Sequence, residues 1–263
     1  MGKSQTREQI LLNILNSSGH ITTVEAAKSL GISEATTRRM FSDLERDGKL
    51  VRNYGGAMAA SRGIPYNFET RETEQKEEKL RIGHLAADLV ESEDTIYLDC
   101  GTTTLQMAIA LGKKISDGCF SSLNIVTNSI SHLQALNPHV NSRCNVVLVG
   151  GLYNSMRRDF SGPLTEQYVN PFHFTKCFLG CEALNGNGGF YADQFDISSL
   201  NTKVMNQSNK SFILVDSTKF DKYGLIAFAP IHAVSGVVSD SAPSGTLAEK
   251  LAQENVEMFV ADS

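Results

Sequence analysis

The chain has no apolar run of the roughly 18 residues that a transmembrane helix needs. Its first residues, Met1 to Gln5, also lack the hydrophobic core of a signal peptide. The first absence excludes a membrane-spanning helix, and the second argues against export. We therefore expect a cytoplasmic protein without a membrane partner, long enough for one large domain or for a small and a medium one.

Cysteine and histidine are few and scattered. The five cysteines are Cys100, Cys119, Cys144, Cys177 and Cys181. Their odd number favours buried thiols in a reducing compartment over disulfides. Three residues separate Cys177 from Cys181, but no second pair of Cys or His completes a zinc site. The six histidines form no His-x-x-x-His pair, so we expect neither a metal nor a cofactor.

Charge divides the chain into a basic head and an acidic body. Residues 1–62 hold nine Lys/Arg and six Asp/Glu, a net of +3, whereas the remaining 201 residues hold 15 and 23, a net of −8. This division is typical of a DNA-binding head joined to a body that stays away from the phosphates. Because +3 is modest, two or more heads should bind one DNA site together. We therefore expect a homo-oligomer, a dimer or a tetramer.

The head has the element order of a winged helix-turn-helix. Residues 6–17 predict a one-faced amphipathic helix, and the pair at 22 and 25 has capping-box spacing for a second helix. Ser33 can cap a third helix, which Gly48 would end in a left-handed conformation. Residues 49–56 then predict a short hairpin, the wing.

The third helix carries two adjacent arginines, Arg38 and Arg39. Such a pair suits guanine edges and phosphates, which both accept two hydrogen bonds from one guanidinium. Taken alone, this segment could equally be a solvated surface helix, but the helices before it and the charge division favour DNA binding. The predicted DNA-binding residues are Ser33, Thr36, Thr37, Arg38, Arg39, Ser42, Arg52 and Tyr54.

The head resembles the DeoR family of bacterial transcription regulators. The resemblance lies in residues 21–27, in residues 33–39 and in the Gly-Gly-Ala at 55–57 after the wing. The chain departs from the family at three places. An aliphatic residue is usual at Thr37, an Asp-Leu pair at residues 40–41 and a histidine at Tyr54. The family's base preference therefore does not transfer to this chain.

From residue 95 onward, short apolar runs alternate with helical segments. The runs occupy residues 95–98, 124–126, 146–149, 176–179, 211–215, 236–238 and 256–260. They predict parallel strands buried on both faces, and hence a Rossmann-like α/β sheet. The stretch before the sheet has weak periodicity and contains Pro65. We therefore predict a winged helix-turn-helix domain at 1–57, a linker at 58–76 and an α/β ligand-sensing domain at 77–263.

Polar residues and glycines follow five of these runs, where ligands of such sheets bind. The segment 101–104, Gly-Thr-Thr-Thr, opens a helix, whose N–H groups and dipole suit a phosphate, although a plain helix cap is the simpler alternative. Lys219 either adds a cation or is an ordinary surface lysine. The predicted ligand-binding residues are Asp99, Gly101, Thr102, Thr103, Thr104, Thr127, Asn128, Ser129, Gly150, Gly151 and Lys219.

These clusters also resemble the C-terminal effector domain of the DeoR family. The matching residues are 99, 101–104, 127–129, 150–151, 162–163, 178–180 and 216–220, in the family's order and spacing. The resemblance thus covers almost the whole chain. It implies a domain related to sugar-phosphate isomerases that senses a phosphorylated sugar. It further implies that residues 101–104 hold the phosphate and that Asp99, Asn128 and Lys219 face the polyol.

Two further features stay open at this point. The glycine-rich segment 185–193 could close over the ligand, although a simple hairpin is the preferred interpretation. Arg157 and Arg158 could contact an anion or form a solvated pair.

The sequence favours a transcription regulator, a repressor of a carbohydrate-metabolism operon. Its affinity for double-stranded operator DNA would change when a phosphorylated sugar binds. The rival hypothesis is a sugar-phosphate isomerase or related hydrolase that uses Asp99, Asp216 and Lys219. The chain lacks a Gly-x-Ser-x-Gly elbow and a P-loop lysine, so we expect no enzyme and no catalytic residues. An architectural DNA binder is disfavoured because it leaves the polar clusters unexplained.

Overall fold

A computed structural model describes residues 3–18, 20–46, 49–53, 55–59 and 66–262. The chain divides into two compact units, Met1–Pro65 and Tyr66–Ser263. Within the described ranges, no helix has the length and apolar character that crossing a bilayer requires. Two predicted features, the helix stop at Gly48 and the DNA contact of Tyr54, lie outside the described residues.

The first unit consists of three helices and a three-stranded antiparallel sheet. Its elements are α1 (Lys3–Ser18), β1 (His20–Thr22), α2 (Thr23–Leu30), α3 (Glu34–Arg46), β2 (Leu50–Asn53) and β3 (Gly56–Ala59). The strand order is β1-β3-β2, and β2 and β3 form a hairpin in which Asn53 lies opposite Gly56. The predicted winged helix-turn-helix is confirmed.

Local capping explains where the helices of this unit begin. The Thr22 hydroxyl accepts a bond from the backbone N–H of Glu25 at 3.2 Å, and the Glu25 carboxylate accepts one from the Thr22 N–H at 3.0 Å. This is the predicted capping box at the start of α2. Helix α2 ends at Gly31, whose φ of 61° lies in the left-handed region and permits the tight turn into α3.

The second unit is built around a seven-stranded parallel sheet. Its elements are α4 (Phe68–Thr73), α5 (Lys76–Asp88), β4 (Thr95–Leu98), α6 (Thr102–Ser116), β5 (Leu123–Thr127), α7 (Ile130–Leu136), β6 (Cys144–Leu148), β7 (Leu152–Asn154), β8 (Asp159–Ser161), α8 (Pro163–Val169), β9 (Phe174–Gly180), β10 (Ala183–Asn185), β11 (Gly189–Ala192), α9 (Phe195–Asn206), β12 (Ser208–Leu214), β13 (Ile226–Ala229), β14 (Gly236–Ser239), α10 (Gly245–Gln253) and β15 (Glu257–Val260). Short 3₁₀ turns span Asn137–His139, Ser217–Lys219 and Ile231–Ala233.

The strand order of the large sheet is β15-β14-β12-β9-β4-β5-β6. All its pairs are parallel, and each of the seven predicted runs supplies one strand, which confirms the α/β prediction. Helices α5, α6 and α7 bury their apolar side chains against one face, and α8, α9 and α10 against the other. Buried residues on both faces explain why the strands are continuous apolar runs.

The predicted linker at 58–76 contains regular structure, contrary to the prediction. Strand β3 continues to Ala59, and α4 begins only three residues after Pro65. The Asn67 side chain caps α4 by accepting a bond from the Thr70 N–H at 3.2 Å, and Phe68 is 1% exposed. A proline does not prevent a capped helix from starting a few residues after it. The other domain limits stay a prediction.

The cysteine prediction holds for most of the thiols. Cys100, Cys144 and Cys177 are buried, Cys181 is partly buried and all five are free. Cys119 is exposed, contrary to the prediction, because it lies in the loop after α6.

Gly83 is the point of close approach between α5 and α6. A Cβ there would lie 2.5 Å from the carbonyl carbon of Gln106 and 2.6 Å from the nitrogen of Met107. Both are backbone atoms, so the two helices would have to separate. We expect Gly83→Ala to lower the free energy of unfolding by about 1–3 kcal/mol in urea denaturation. The matched Gly150→Ala change meets nothing within 4 Å and should leave stability unaltered. Equal midpoints for both variants would contradict the close packing.

Candidate functional site

Helix α3 presents several predicted DNA-binding side chains to solvent. Thr36, Arg38 and Arg39 are exposed, and Ser42 is partly exposed. Arg38 pairs with Glu34 at 2.8 Å, one helical turn earlier. Within the described residues, the Arg39 guanidinium has no hydrogen bond or ion pair, so Arg39 can take a phosphate or a base edge without breaking another bond.

The wing is fastened to α3 by Arg52. Its guanidinium donates to the Ser42 hydroxyl at 2.5 Å, and its backbone N–H donates to the Glu45 carboxylate at 3.0 Å. Ser42 and Arg52, both predicted to bind DNA, are therefore neighbours and hold each other in place. This geometry puts the wing strand beside the exposed face of α3.

Thr37 does not face DNA, contrary to the prediction. Its side chain is fully buried, and its hydroxyl donates to the Ser33 carbonyl at 3.1 Å. The reason is helical spacing, because Thr37, Phe41 and Leu44 share the face that packs into the core. Ser33 is exposed, and its hydroxyl accepts a bond from the Thr36 N–H at 3.3 Å, as expected of a helix cap.

Strand β4 lies where the chain changes its direction of travel across the large sheet. From β4 the chain proceeds through β5 to β6 on one side, and from β9 through β12, β14 and β15 on the other. The helices that follow β4 and β9, α6 and α9, cover opposite faces. A crevice therefore opens at the carboxyl ends of β4 and β9, the usual ligand position in such sheets.

Asp99 occupies this crevice. It is 4% exposed, and one carboxylate oxygen accepts a bond from the Gly180 N–H at 3.1 Å. The other oxygen, Oδ1, is buried without a hydrogen-bond partner in the described part of the chain. Burial raises the pKa of Asp99 above its ordinary value, although the N–H groups of Cys100 and Gly180 oppose this. A buried polar atom without a partner is uncommon, and its position at this edge of the sheet makes the Asp99 oxygen a candidate ligand contact.

Helix α6 begins beside Asp99 with an open first turn. Gly101 is the residue before the helix, and no side chain caps the helix by a hydrogen bond. The hydroxyls of Thr102 and Thr103 also lack partners among the described residues. Free N–H groups, two hydroxyls and the positive end of the helix dipole together suit an oxyanion.

Thr104 is not part of this open turn, contrary to the prediction. It is fully buried, and its hydroxyl donates to the carbonyls of Asp99 and Gly101, each at 2.8 Å. The His132 Nε2 lies 3.1 Å from the same hydroxyl. Thr104 therefore ties the end of β4 to α6.

Three further predicted residues, Thr127, Asn128 and Ser129, are fully buried, and their polar groups bond within the protein. The Asn128 amide accepts from the Tyr97 hydroxyl at 3.0 Å and donates to the Phe160 carbonyl at 2.8 Å. Ser129 caps α7 by accepting from the His132 N–H at 3.4 Å. These bonds fix the loop after β5, and direct ligand contact by its residues stays a prediction.

The two glycines after β6 differ in their surroundings. A Cβ at Gly151 would collide with the Thr165 hydroxyl, and its φ of 155° is a glycine conformation. Gly151 is therefore required for packing against α8, which explains this glycine without a ligand, and its ligand role stays a prediction. A Cβ at Gly150 would meet nothing within 4 Å, so its backbone stays a predicted ligand contact.

Arg157 is buried, so the interpretation as a solvated arginine pair is wrong. Its Nε donates to the Asp159 carboxylate at 2.8 Å, and its Nη2 donates to the Cys100 sulfur at 3.2 Å. Its guanidinium lies 4.3 Å from the centre of the Tyr66 ring. Arg158 is more exposed and pairs with Glu69 at 2.5 Å. Sequence patterns could not reveal the contacts with Cys100, Tyr66 and Glu69, because these partners are distant in the chain.

Lys219 contacts a carboxylate that the sequence did not reveal. Its Nζ lies 3.1 Å from Glu182 Oε2, and the Arg71 guanidinium lies 3.5 Å from the same oxygen. Burial raises the pKa of Glu182, but Lys219 and Arg71 outweigh it and hold this pKa below its ordinary value. Arg71 lies in the predicted linker, where no motif marks it. Lys219 is therefore more than an ordinary surface lysine.

The glycine-rich segment 185–193 is a hairpin, as preferred from sequence. Strands β10 and β11 pair antiparallel, with Asn185 opposite Gly189. Strand β13 extends this small sheet beside β11. Among the described residues, no group of three or more His, Cys, Asp or Glu side chains could hold a metal ion.

Each of the two units matches the profile of a known protein family. The profile of the DeoR C terminal sensor domain matches residues 74–241, and that of the DeoR-like helix-turn-helix domain matches residues 7–62. The chain belongs to the DeoR family. Members of this family are helix-turn-helix transcription regulators with a C-terminal sensor domain.

Known relatives of this DeoR-family chain align over nearly their whole length. The lactose phosphotransferase system repressor of Lactococcus lactis is 31% identical, over 96% of this chain and 97% of the relative. The L-fucose operon activator of Haemophilus influenzae is 28% identical, over 95% and 97%. A ribose 5-phosphate isomerase A from Methanocaldococcus jannaschii aligns with a TM-score of 0.41 at 15% identity, over 55% of this chain and 54% of the isomerase.

His132 is a buried neutral side chain, which gives stability a dependence on pH. Burial lowers its pKa from 6.5 to about 3. The unfolded chain therefore binds a proton that the folded chain refuses, and stability falls as pH falls from about 6.5 toward 3. We expect a loss of about 2 kcal/mol between pH 7 and pH 5 in urea denaturation, which His132→Gln should largely remove. The matched His173→Gln change, at an exposed site, should keep the loss. An unchanged slope in His132→Gln would contradict this assignment.

Proposed function

We propose that this protein represses a carbohydrate-metabolism operon and that a phosphorylated sugar in the sensor domain changes its affinity for operator DNA. The sugar phosphate binds at the carboxyl ends of β4, β5, β6, β9 and β12. The buried, unpartnered oxygen of Asp99 beside the open first turn of α6 is the observation that carries this proposal. The Asp99 oxygen accepts a hydrogen bond from a hydroxyl of the sugar, and the first turn of α6 binds its phosphate.

In this proposal, the phosphate accepts bonds from the N–H groups and hydroxyls of Thr102 and Thr103. Lys219 and Asp99 face the polyol. The family membership and the repressor relative at 31% identity support a regulator rather than an enzyme, so we propose that the bound sugar is not turned over. The related fucose operon protein is an activator, so repression rests on the similarity to the repressor.

The proposed partners are double-stranded operator DNA and a second copy of the chain, in a dimer or tetramer. One head with a net charge of +3 would bind weakly, and two heads on one operator multiply their affinities. The protein would act in the cytoplasm, where bacterial operator DNA lies. We retain residues 1–57 as the DNA-binding domain and 77–263 as the sensor, with residues 66–76 now part of the second unit.

The phosphate assignment predicts the behaviour of two matched threonine variants. Thr103 and Thr246 both occupy the second position of helices that follow sheet strands, α6 and α10. In a thermal-shift screen of phosphorylated sugars and polyols, we expect a sugar phosphate to stabilise the wild type and Thr103→Ala to lose most of that shift. Thr246→Ala should respond as the wild type does. No stabilisation by any sugar phosphate in the panel would overturn the proposed sensor function.

The DNA assignment predicts a difference between two arginines of α3. Arg39 has no partner in the described residues, whereas Arg46 pairs with Asp43 near the end of the helix. DNA duplexes enriched from a random pool by the wild type provide the probe. We expect Arg39→Ala to weaken binding about tenfold or more, since a base or phosphate contact is worth about 1–3 kcal/mol. Arg46→Ala should bind nearly as the wild type does. Equal affinities for the two variants would argue against α3 as the reading helix.

A further inference from the structure

Residues 66–74, which we call the strap, follow the first unit in sequence and form the beginning of the second unit. We propose that the effector site extends onto this strap, where Arg71, together with Glu182 and Lys219, contacts the hydroxyl-bearing end of a sugar monophosphate. This inference rests on the proposed function. The inference adds two residues that no sequence motif marks, Arg71 and Glu182, to the proposed site. It also places one ligand contact on the segment that follows the first unit in sequence.

The strap is held on the second unit by tertiary contacts. Helix α4, six residues long, is too short to be stable alone. Its Phe68 is buried, and the Phe68 N–H donates to the Met156 carbonyl at 2.9 Å. The buried Lys79 donates to the carbonyls of Arg71 and Glu74, each at 2.6 Å, and so fixes the end of α4. The strap is thus a defined wall with an anchored backbone.

The strap reaches the expected phosphate end of the site through Tyr66. Its ring lies against the Arg157 guanidinium, which donates to the sulfur of Cys100, the residue before Gly101. Helix α4 also lies next to α6. Because burial raises the pKa of Tyr66 far above its ordinary value, the ring stays neutral beside this arginine.

The strap reaches the other end of the crevice through Arg71. The Arg71 and Lys219 cations share Glu182 Oε2, and all three side chains keep a fraction of their surface exposed, 35%, 19% and 22%. They are therefore accessible and yet desolvated enough for strong hydrogen bonds. Glu182 follows β9 two residues after Gly180, which donates to Asp99. Arg71, through Glu182, and Asp99, through the Gly180 N–H, thus both contact residues at the carboxyl end of β9.

The charge balance at this end indicates which chemical group it takes. The two cations face Glu182, Arg71 also pairs with Glu74 at 3.4 Å, and Asp216 acts electrostatically on Lys79. Positive charge is largely compensated, so a second phosphate gains little there. An ionised carboxylate and a guanidinium fork do bind neutral hydroxyls well, as acceptor and donors. The expected ligand therefore carries one phosphate, at α6, and hydroxyls toward the strap.

Arg71→Ala tests this assignment in the full-length protein. The probes are inorganic phosphate, ribose 5-phosphate, fructose 6-phosphate, glucose 6-phosphate and fructose 1,6-bisphosphate, with affinities from calorimetry. We expect Arg71→Ala to weaken the best-binding monophosphate about tenfold while inorganic phosphate stays within about twofold, since one charge-assisted contact is lost. Arg143→Ala, an exposed arginine in the same unit, should change neither affinity.

The possible results separate the two proposals. If Arg71→Ala binds the monophosphate as tightly as the wild type, the strap contact is wrong while the proposed function stands. If the bisphosphate binds more tightly than the monophosphate, the ligand class assigned here is wrong. If no sugar phosphate binds the wild type, both proposals fall together.

A fluorescent strap supplies a second, independent measurement. The chain has no tryptophan, so Tyr66→Trp introduces a single tryptophan, which can be excited selectively and can keep the contact with Arg157. We expect its emission to shift when the monophosphate binds. Tyr168→Trp, at a position 55% exposed on α8, should show no shift. Unchanged emission from Tyr66→Trp at ligand concentrations that raise its melting temperature would overturn the role of the strap.

Discussion

The parallel direction of all seven strands in the large sheet is the constraint on which the rest of the second unit depends. Parallel strands bring their carboxyl ends to one edge, and the change of chain direction between β4 and β9 places a crevice there. Asp99, the start of α6 and the Gly180 N–H meet in that crevice. The sheet topology thus brings residues that are far apart in sequence close together in space.

The polar groups around the site are of two kinds: some are hydrogen-bonded within the protein, and others have no partner among the described residues. Thr104, Asn128 and Ser129 form hydrogen bonds with neighbouring backbone and side-chain groups. The buried pair of Arg157 and Asp159 works in the same way, and removing either member would leave an uncompensated charge. These internal bonds fix the loops around the Asp99 oxygen and the hydroxyls of Thr102 and Thr103, which have no partner among the described residues.

Sequence patterns predicted the elements that local physics determines. The seven apolar runs, the capping box at Thr22 and Glu25 and the wing all depend on neighbours in the chain. Patterns failed where the partner is distant. In the sequence, a threonine after a strand looks the same whether its hydroxyl faces a ligand, as expected of Thr103, or a buried carbonyl, as at Thr104. The pairing of Arg71 with Glu182 exists only after folding, so it left no local signal.

The open first turn of α6 has a consequence for how such a sensor would read its surroundings. Any small tetrahedral oxyanion can occupy a helix N-terminus, and orthophosphate is always present in cytoplasm. If a sugar phosphate binds at this position as proposed, it competes with orthophosphate, and at saturating concentrations its occupancy follows the ratio of the two. When a cell traps phosphate in sugars, the ligand rises as its competitor falls. Under the proposed function, both changes would act in the same direction and sharpen the response without cooperativity.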